Sequence, residues 1–450
     1  MREYGGPVDW LNELSLISGA VPIVSAMLGA LAVLFLLLRR SLRWWIFAVI
    51  TAMAALALSA LSCWAVIHVF FWWAEDLPFS MVLYLALLMW VLTLGSTTAL
   101  GGLRRRRSAR GRTSAVRRSL ACVATVVLIL FVGIQVNASF GQYPTVGSLL
   151  NPPIAIAEAA PPRMQLAVGS HFMATPVSAR WHGAADLPTA GTVFATKIPG
   201  LVSGFQARDA MVYLPPAYAA SQRPVLPVLV LVSGQPGAPE AWLHSSDLVK
   251  TLDSYASRHE GVAPIVVIPD PNGSSSANTM CLNSSLAQAD SYMAQDVPNW
   301  IKTHLDADTN HAHWAIGGFS YGGTCAVQQV TRHPDVYSSF LAVSPEKEPA
   351  LTVDRKLTID RAFKGDAAAF DAQVPLTLLA KNRYPLVRGW FAAGAQDAQY
   401  SANVKILEKA ARQAGMTIES ASYPGGHSWS VVNAALPKGL AFTFVGIGLL

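Results

Sequence analysis

Four long runs of apolar residues, separated by short polar loops, occupy the first third of the chain. The runs cover about 17–38, 44–67, 79–101 and 119–137. Each is long enough to cross the roughly 30 Å hydrocarbon core of a bilayer as a helix. A cleaved signal peptide, the alternative for the first run, would have a basic start and a shorter apolar core. The pattern therefore predicts a region of four transmembrane helices over residues 1–138.

The loops between these runs differ in charge. Arginines lie at 39–43 and, more densely, at 104–118, whereas the intervening loop carries Glu75 and Asp76 without Lys or Arg. Cytoplasmic loops carry the excess of Lys and Arg in membrane proteins. We therefore expect a multi-pass plasma-membrane protein with everything after residue 138 on the extracytoplasmic side.

Composition agrees with a membrane protein, because 52% of the residues are hydrophobic and only 13% are charged. The formal net charge of +6 could suggest nucleic-acid binding. Most of that excess, however, lies in the two arginine loops, where membrane topology accounts for it. No nucleic-acid partner is therefore expected. Besides its role in topology, the run of four arginines could contact anionic lipid head groups.

The pattern changes after the fourth run. Residues 139–189 predict an extended, Pro-rich connector, with NPP and PPR inside it. From residue 190 onward, short continuous apolar runs alternate with helical patterns, which is typical of a parallel sheet covered by helices on both faces. The predicted strands of this α/β domain, over 190–450, lie at about 210–216, 227–234, 264–270, 313–318, 338–345, 388–394 and 417–424.

One motif suggests a nucleophile. The segment GFSYG, residues 318–322, matches the pattern G-x-S-x-G, with an apolar strand before it and a helical pattern after it. In a nucleophile elbow the serine occupies a sharp turn between strand and helix, and the glycines let the two elements pass close together. The alternative is an ordinary glycine-rich turn. The flanking elements favour the elbow, with Ser320 as the nucleophile.

A serine hydroxyl needs a base, and the base needs an acid that fixes its tautomer. His427, in YPGGHSW, follows the last predicted strand, and Asp397, in GAQD, follows the strand before it. The chain order serine, acid, histidine is that of the α/β-hydrolases. We therefore predict a catalytic triad of Ser320, Asp397 and His427.

The oxyanion of an acyl-transfer intermediate needs backbone N–H donors. One is expected from Tyr321, directly after the serine. The other is expected from the loop SGQPG after the strand at 227–234, where Pro236 has no N–H and Gln235 is the best candidate. That loop could otherwise be a simple turn.

The chain has four cysteines. Cys63 and Cys122 fall inside predicted membrane spans, where a small apolar residue is the ordinary interpretation. Cys281 and Cys325 lie in the outward domain, where an oxidising compartment permits a disulfide. Two free buried thiols are the alternative.

Together, the segments SGQPG with Trp242 a few residues on, GGFSYGG, GAQD and PGGHSW resemble the putative-esterase (esterase-D-like) family of α/β-hydrolases. That family includes the bacterial mycolyltransferases, and the chain also looks like its membrane-tethered members. The resemblance covers about 190–435. It implies an α/β-hydrolase fold and serine esterase, thioesterase or acyltransferase chemistry, without a metal or other cofactor. No mycolic-acid or trehalose signature is evident.

The leading hypothesis is a membrane-anchored serine esterase or acyltransferase acting on lipid or cell-envelope esters. A catalytically silent hydrolase fold, used for binding or envelope structure, is the alternative. A transporter or sensor is less well supported, because the predicted spans contain no Asp, Glu, Lys or Arg. The apolar run at 439–450 is too short to span a bilayer, and could cover the sheet or touch the membrane surface.

Overall fold

The structure is a computed structural model that describes residues 9–38, 41–75, 77–100, 115–150, 154–158, 177, 181–184 and 186–450. The chain divides into two compact units. The first comprises Met1–Phe71 and Glu75–Asn151, and the second Trp72–Ala74 and Pro152–Leu450.

The first unit is helical. Four of its helices, α2 to α5, are long and apolar enough to cross a membrane, as predicted. Parts of the two arginine loops, at 39–40 and 101–114, lie outside the described residues. The helices of this unit are α1 (Asp9–Asn12), α2 (Ala20–Leu37), α3 (Leu42–His68), α4 (Phe79–Leu100), α5 (Ala115–Phe140) and α6 (Val146–Leu150).

Helix α5 packs against both α2 and α4, and α4 packs against α3. Two polar side chains in this bundle donate to the backbone of a neighbouring helix. The Trp90 indole donates to the Ala48 carbonyl at 2.8 Å, and the Ser59 hydroxyl donates to the Val82 carbonyl at 2.7 Å. Many large apolar side chains on the outer faces are exposed. Satisfied polar groups inside and an apolar exterior are what a bundle in lipid requires.

The second unit is built on a nine-stranded sheet with strand order β1-β2-β3-β5-β4-β6-β7-β8-β9. Its strands are β1 (Ile156–Ala157), β2 (Thr192–Thr196), β3 (Ala210–Leu214), β4 (Val228–Val232), β5 (Ile265–Ile268), β6 (Trp314–Phe319), β7 (Ser339–Val343), β8 (Arg388–Gly394) and β9 (Thr417–Tyr423).

Neighbouring strands from β5 to β9 are all parallel, whereas β3 runs antiparallel to both β2 and β5. Every residue of β4, β5 and β6 is buried, which explains their unbroken apolar sequences. The mostly parallel, helix-covered sheet confirms the predicted α/β-hydrolase fold. Strands β1 and β2 were not predicted, and β1 lies within the stretch predicted as a connector. The domain boundaries themselves stay a prediction.

The helices of the second unit are α7 (Ala241–His244), α8 (Leu248–Arg258), α9 (Ala289–Ser291), α10 (Val297–His304), α11 (Tyr321–Arg332), α12 (Arg355–Phe363), α13 (Ala367–Asp371), α14 (Pro375–Lys381), α15 (Ala398–Gln413) and α16 (Trp429–Gly446). Helix α16 packs on β7 and β8. Phe444 and Leu449, from the apolar run at 439–450, are buried in the core of this unit. In this structure that run therefore covers the sheet.

The sheet brings the three residues of the predicted triad to one edge. Ser320 directly follows β6, Asp397 lies three residues after β8, and His427 lies four residues after β9. Because these strands are parallel, their carboxyl ends meet at the same edge, where α/β folds place their functional groups.

Candidate active site

Ser320 lies in a sharp turn between strand β6 and helix α11. Its backbone has φ 58° and ψ −120°, a region that non-glycine residues rarely adopt. Such a conformation costs about 1–3 kcal/mol and persists only where its surroundings enforce it. Here the Ser320 amide donates to the Val343 carbonyl at 2.9 Å, and the Thr324 amide donates to the Ser320 carbonyl at 2.9 Å. The turn is thus fixed on the sheet side and on the helix side.

Two glycines allow this turn to form. A β-carbon on Gly322 would lie 2.0 Å from the Val232 carbonyl oxygen, and one on Gly318 would lie 2.3 Å from the carbonyl carbon of Gly322. No side chain fits at either position, so helix α11 can pass this close to strand β4 only with glycine there. The segment therefore has the geometry of a nucleophile elbow.

His427 contacts both other members of the predicted triad. Its Nε2 lies 2.8 Å from Ser320 Oγ, and its Nδ1 lies 3.0 Å from Asp397 Oδ2. With the ring proton on Nδ1, the imidazole donates to the carboxylate and leaves Nε2 free to accept from the serine hydroxyl. The three side chains, far apart in the sequence, form one continuous hydrogen-bonded chain.

The Asp397 carboxylate is oriented by its own helix. It caps the amino terminus of α15, where Oδ1 accepts from the Tyr400 amide at 3.2 Å, and this leaves Oδ2 for His427. The neighbouring residue, Gln396, connects this loop to the histidine loop. Its side-chain Oε1 accepts from the Gly425 amide, and its own amide donates to the Gly425 carbonyl at 3.0 Å. That Gln396 connects these two loops was not predicted from the sequence. The one feature of the sequence that could have suggested it is the position of Gln396 next to Asp397.

Aromatic rings hold the imidazole in place. The His427 ring lies between Phe319 and Tyr400, with ring centroids 4.8 Å and 4.1 Å away. The side chain of His427 is 22% exposed and that of Asp397 is 8% exposed. The Asp397 carboxylate is therefore shielded from water, whereas the imidazole is partly open to solvent.

Of the two predicted oxyanion donors, Tyr321 directly follows the serine, and the loop that contains Gln235 approaches the serine at Gly234. Tyr321 provides the first amide of helix α11, an N–H with no partner inside the helix. The loop after β4 approaches from the neighbouring strand, since a methyl group on Gly234 would lie 3.7 Å from Ser320 Cβ. The next residue, Gln235, is held by its side-chain amide, which donates to the Ser276 carbonyl at 3.1 Å. The oxyanion role of Gln235 and Tyr321 stays a prediction.

A partly buried carboxyl group, that of Glu346, lies behind the elbow. The Glu346 amide donates to Thr324 Oγ1 at 2.9 Å, and the Thr324 hydroxyl donates to the Ser320 carbonyl at 3.1 Å. Burial, helped by the nearby Glu348 and opposed by a hydrogen bond from Thr324, raises the pKa of Glu346 to about 8. The raised pKa favours the uncharged form of this carboxyl beside the elbow.

Cys281 and Cys325 are joined by a disulfide, with their Cα atoms 5.5 Å apart. The bond connects helix α11 to the loop that follows β5. The same loop contacts the elbow a second time, because Thr279 Oγ1 lies 2.9 Å from the Tyr321 hydroxyl. The other two cysteines, Cys63 and Cys122, are free.

A cleft in the second unit lies away from these residues. It has a volume of about 680 Å³ and lies by the amino ends of β6, β7 and β8, where His311, Ser338 and Arg383 line it. None of the predicted site residues lines it. Within the described ranges, no three His, Cys, Asp or Glu side chains are grouped as a metal site requires.

Comparison with known proteins places the chain in a family. Residues 206–443 match the family described as putative esterase. An uncharacterised protein of Corynebacterium glutamicum is 37% identical over 334 residues, which cover 72% of this chain and 75% of that protein.

Solved structures are similar at much lower identity. A ferulic acid esterase is 17% identical with a TM-score of 0.48, covering 59% of this chain and 100% of its own. An S-formylglutathione hydrolase from Agrobacterium tumefaciens is 18% identical with a TM-score of 0.47, covering 58% of this chain and 98% of its own.

The elbow geometry predicts that Gly322 cannot be replaced. In Gly322→Ala the new methyl group collides with the Val232 carbonyl, so strand or helix must shift. We expect the free energy of unfolding to fall by about 1–3 kcal/mol or more, as for other overpacked sites. The measurement is thermal unfolding of the full-length protein in detergent, followed by near-ultraviolet circular dichroism.

Gly133→Ala is the matched control, because a β-carbon on Gly133 would meet no atom within 4 Å. We expect its unfolding free energy not to fall below the wild-type value, because alanine is the better helix former and meets no clash there. Equal stability of Gly322→Ala and the wild type would show that the close approach at the elbow is wrong.

Proposed function

Because the chain belongs to the putative esterase family, we propose that it is a serine esterase or acyltransferase whose triad is Ser320, His427 and Asp397. The observation that carries the proposal is the position of the His427 ring. One nitrogen lies 2.8 Å from the Ser320 hydroxyl and the other 3.0 Å from the Asp397 carboxylate. This is the arrangement that turns a weakly nucleophilic hydroxyl into an attacking group.

In this proposal, a named group of the protein carries out each step of the reaction. Ser320 Oγ forms a bond to the ester carbonyl carbon while His427 Nε2 accepts the hydroxyl proton. The backbone amides of Gln235 and Tyr321 stabilise the negative charge on the former carbonyl oxygen. The intermediate collapses as the ester C–O bond breaks, and the imidazolium returns its proton to the leaving alcohol. Water, or an acceptor hydroxyl, then attacks the acyl-enzyme by the same route in reverse.

Two other histidine–aspartate pairs provide a comparison within the molecule. They are His313–Asp308, with a 2.6 Å contact, and His333–Asp290, with a 3.0 Å contact. In the part of the chain that the structure describes, neither of these rings is hydrogen-bonded to a serine, whereas the ring of His427 is. A histidine–aspartate pair alone is thus a common structural device here, and the serine contact distinguishes the proposed triad.

We further infer that the catalytic unit lies on the extracytoplasmic side of the plasma membrane. Helices α2 to α5 could anchor the chain in a bilayer. The arginine-rich loops that connect α2 to α3 and α4 to α5 would stay in the cytoplasm. The second unit would then lie on the opposite side of the membrane. The disulfide between Cys281 and Cys325 supports the same side, since such bonds persist mainly in oxidising compartments.

The proposed substrates are acyl esters of membrane lipids or of the cell envelope. A membrane anchor on the same chain raises the effective concentration of the catalytic unit near such esters, without any new contact. A soluble ester gains nothing from the anchor. The acceptor that resolves the acyl-enzyme is either water or an envelope hydroxyl, which makes the protein an esterase or an acyltransferase.

A catalytically silent binding or structural protein is the competing function. The intact hydrogen-bonded chain from Ser320 to Asp397 argues against it, because a binding role does not require a strained serine at an elbow. Reactivity of the serine separates the two functions directly.

The first test is covalent labelling with a fluorophosphonate probe, followed by mapping of the modified peptide. We expect the wild type to be labelled at Ser320 and Ser320→Ala to be unlabelled. Replacing the acid in Asp397→Asn should slow labelling by about 10³–10⁴-fold, because the imidazole loses its correct tautomer.

The control for this test is His313→Ala, which removes a histidine from a pair with a similar contact to aspartate. It should be labelled at the wild-type rate, whereas His427→Ala should be nearly inert. Labelling of Ser320→Ala at the wild-type rate, or an unreactive wild type, would support the silent binding function instead.

The second test concerns the side of the membrane. A charged fluorophosphonate that cannot cross a bilayer is applied to intact cells producing the wild type. We expect labelling of Ser320 equal to that in lysed cells, since an extracytoplasmic serine is already accessible. Labelling that appears only after lysis would place the catalytic unit in the cytoplasm and contradict the proposed location.

A further inference from the structure

An ion pair between a buried aspartate and a partly exposed arginine lies next to the proposed oxyanion loop. Asp270 follows strand β5, and Arg208 precedes strand β3, which runs antiparallel to β5. The pair therefore lies at the carboxyl edge of the parallel strands, the edge that carries Ser320. Arg208 Nε donates to Asp270 Oδ2 at 2.7 Å, and Nη2 donates to Oδ1 at 3.0 Å.

The Asp270 carboxylate is only 2% exposed and has many donors. Besides the guanidinium, it accepts from the backbone amides of Arg208, Asn272 and Gly273, each at 3.0 Å. A buried ion pair is weak evidence for stability, because desolvating two charges costs about as much as their attraction returns. Such a fully bonded pair is better explained by the geometry that it imposes on its neighbours.

The neighbour in question is the loop SGQPG at 233–237. The same Nη2 group of Arg208 donates to the Gly237 carbonyl at 2.9 Å. The loop after Asp270 binds the other side, because the Gly237 amide donates to the Ser275 carbonyl at 2.9 Å. Gly237 is thus held through both of its backbone polar groups, two residues from Gln235.

The turn between Gly234 and Gly237 transmits this restraint to the serine. A β-carbon on Gly237 would lie 2.4 Å from the Gly234 carbonyl oxygen, so the two glycines are in close contact. Gly234 in turn packs beside Ser320, as described above. A shift of Gly237 must therefore move the Gln235 amide relative to the serine hydroxyl.

We propose that Arg208 and Asp270 are positioning residues that hold the Gln235 amide in place for the oxyanion. The proposal rests on the function proposed above. Neither side chain needs to touch the substrate. The ion pair acts by fixing the Gly237 carbonyl, and through it the loop that approaches Ser320 from strand β4.

Loss of this ion pair should destabilise the transition state more than the enzyme–substrate complex. Since the oxyanion exists only after attack, a displaced amide lowers kcat while leaving ground-state binding intact. Removing one oxyanion donor costs about 10²–10³-fold in kcat, and a displaced donor should cost somewhat less. For Arg208→Gln and Asp270→Asn we expect kcat for p-nitrophenyl butyrate to fall about 10–100-fold, with KM changed by less than about threefold.

Arg208→Lys should recover part of the loss. A lysine can pair with Asp270, but its single ammonium cannot reproduce the planar fork that reaches Asp270 and Gly237 together. We expect a kcat between those of Arg208→Gln and the wild type. The unchanged pH profile of all three variants would show that His427 and Asp397 are undisturbed.

A trifluoromethyl ketone gives the decisive readout, because it forms a charged hemiketal with the serine that mimics the oxyanion. Its affinity should fall by the same factor as kcat/KM in each variant. A purely structural role would lower the amount of folded protein, which fluorophosphonate titration of active sites measures separately.

Arg223→Gln is the matched control. Arg223 forms a buried ion pair with Asp306, at 3.2 Å, with side-chain exposures of 6% and 0%. That pair lies by the amino end of β4, next to the bridge between Leu226 and Ala307, and so on the opposite edge from Ser320. We expect this variant to keep its kcat per titrated active site and its ketone affinity.

Unchanged kcat and ketone affinity in Arg208→Gln, or an equal loss in Arg223→Gln, would overturn the proposal. A loss confined to KM would overturn it as well. Failure of the proposed function is a separate result, since in that case the wild type itself would neither hydrolyse the ester nor react with the fluorophosphonate.

Discussion

The left-handed backbone of Ser320 depends on how closely helix α11 approaches strand β4. Gly322 lies against the Val232 carbonyl with no room for a side chain, and Gly318 lies against Gly322 in the same way. This contact sets the angle between β6 and α11 and forces the serine into the turn. The strain of about 1–3 kcal/mol is sustained because strand β6 and all of helix α11 except Arg332 are buried.

The other parts of the site depend on that fixed point. The loop after β4 packs beside the serine, the loop after β9 brings His427 to its hydroxyl, and the loop after β8 brings the acid to the imidazole. Each loop is also bonded to a neighbouring loop, as Gln396 is to Gly425. The parallel sheet places these loops at one edge. The contacts between the loops then set the distances between the side chains of Ser320, His427 and Asp397.

The main strands and helices and the elbow were predictable because their signals are local. Buried parallel strands are unbroken apolar runs, and G-x-S-x-G between a strand and a helix is a compact motif. His427 and Asp397 were chosen by their positions after β9 and β8, and the structure brings both to Ser320, whereas their catalytic role stays a prediction. Strand β2 was missed because it is only partly buried and so lacks an unbroken apolar sequence, and β1 has just two residues. The pairing of Arg208 with Asp270 could not be predicted, since the two residues are 62 positions apart and meet only through the antiparallel pairing of β3 with β5.

The central claim is that Ser320 carries the acyl group during turnover. The most direct measurement is rapid acid quenching of the full-length protein during hydrolysis of p-nitrophenyl butyrate, followed by peptide mass spectrometry. The account predicts a butyryl group on the peptide that contains Ser320, appearing before the steady state and disappearing once the ester is consumed. Turnover with no acylated peptide, or with the acyl group on a different residue, would contradict it.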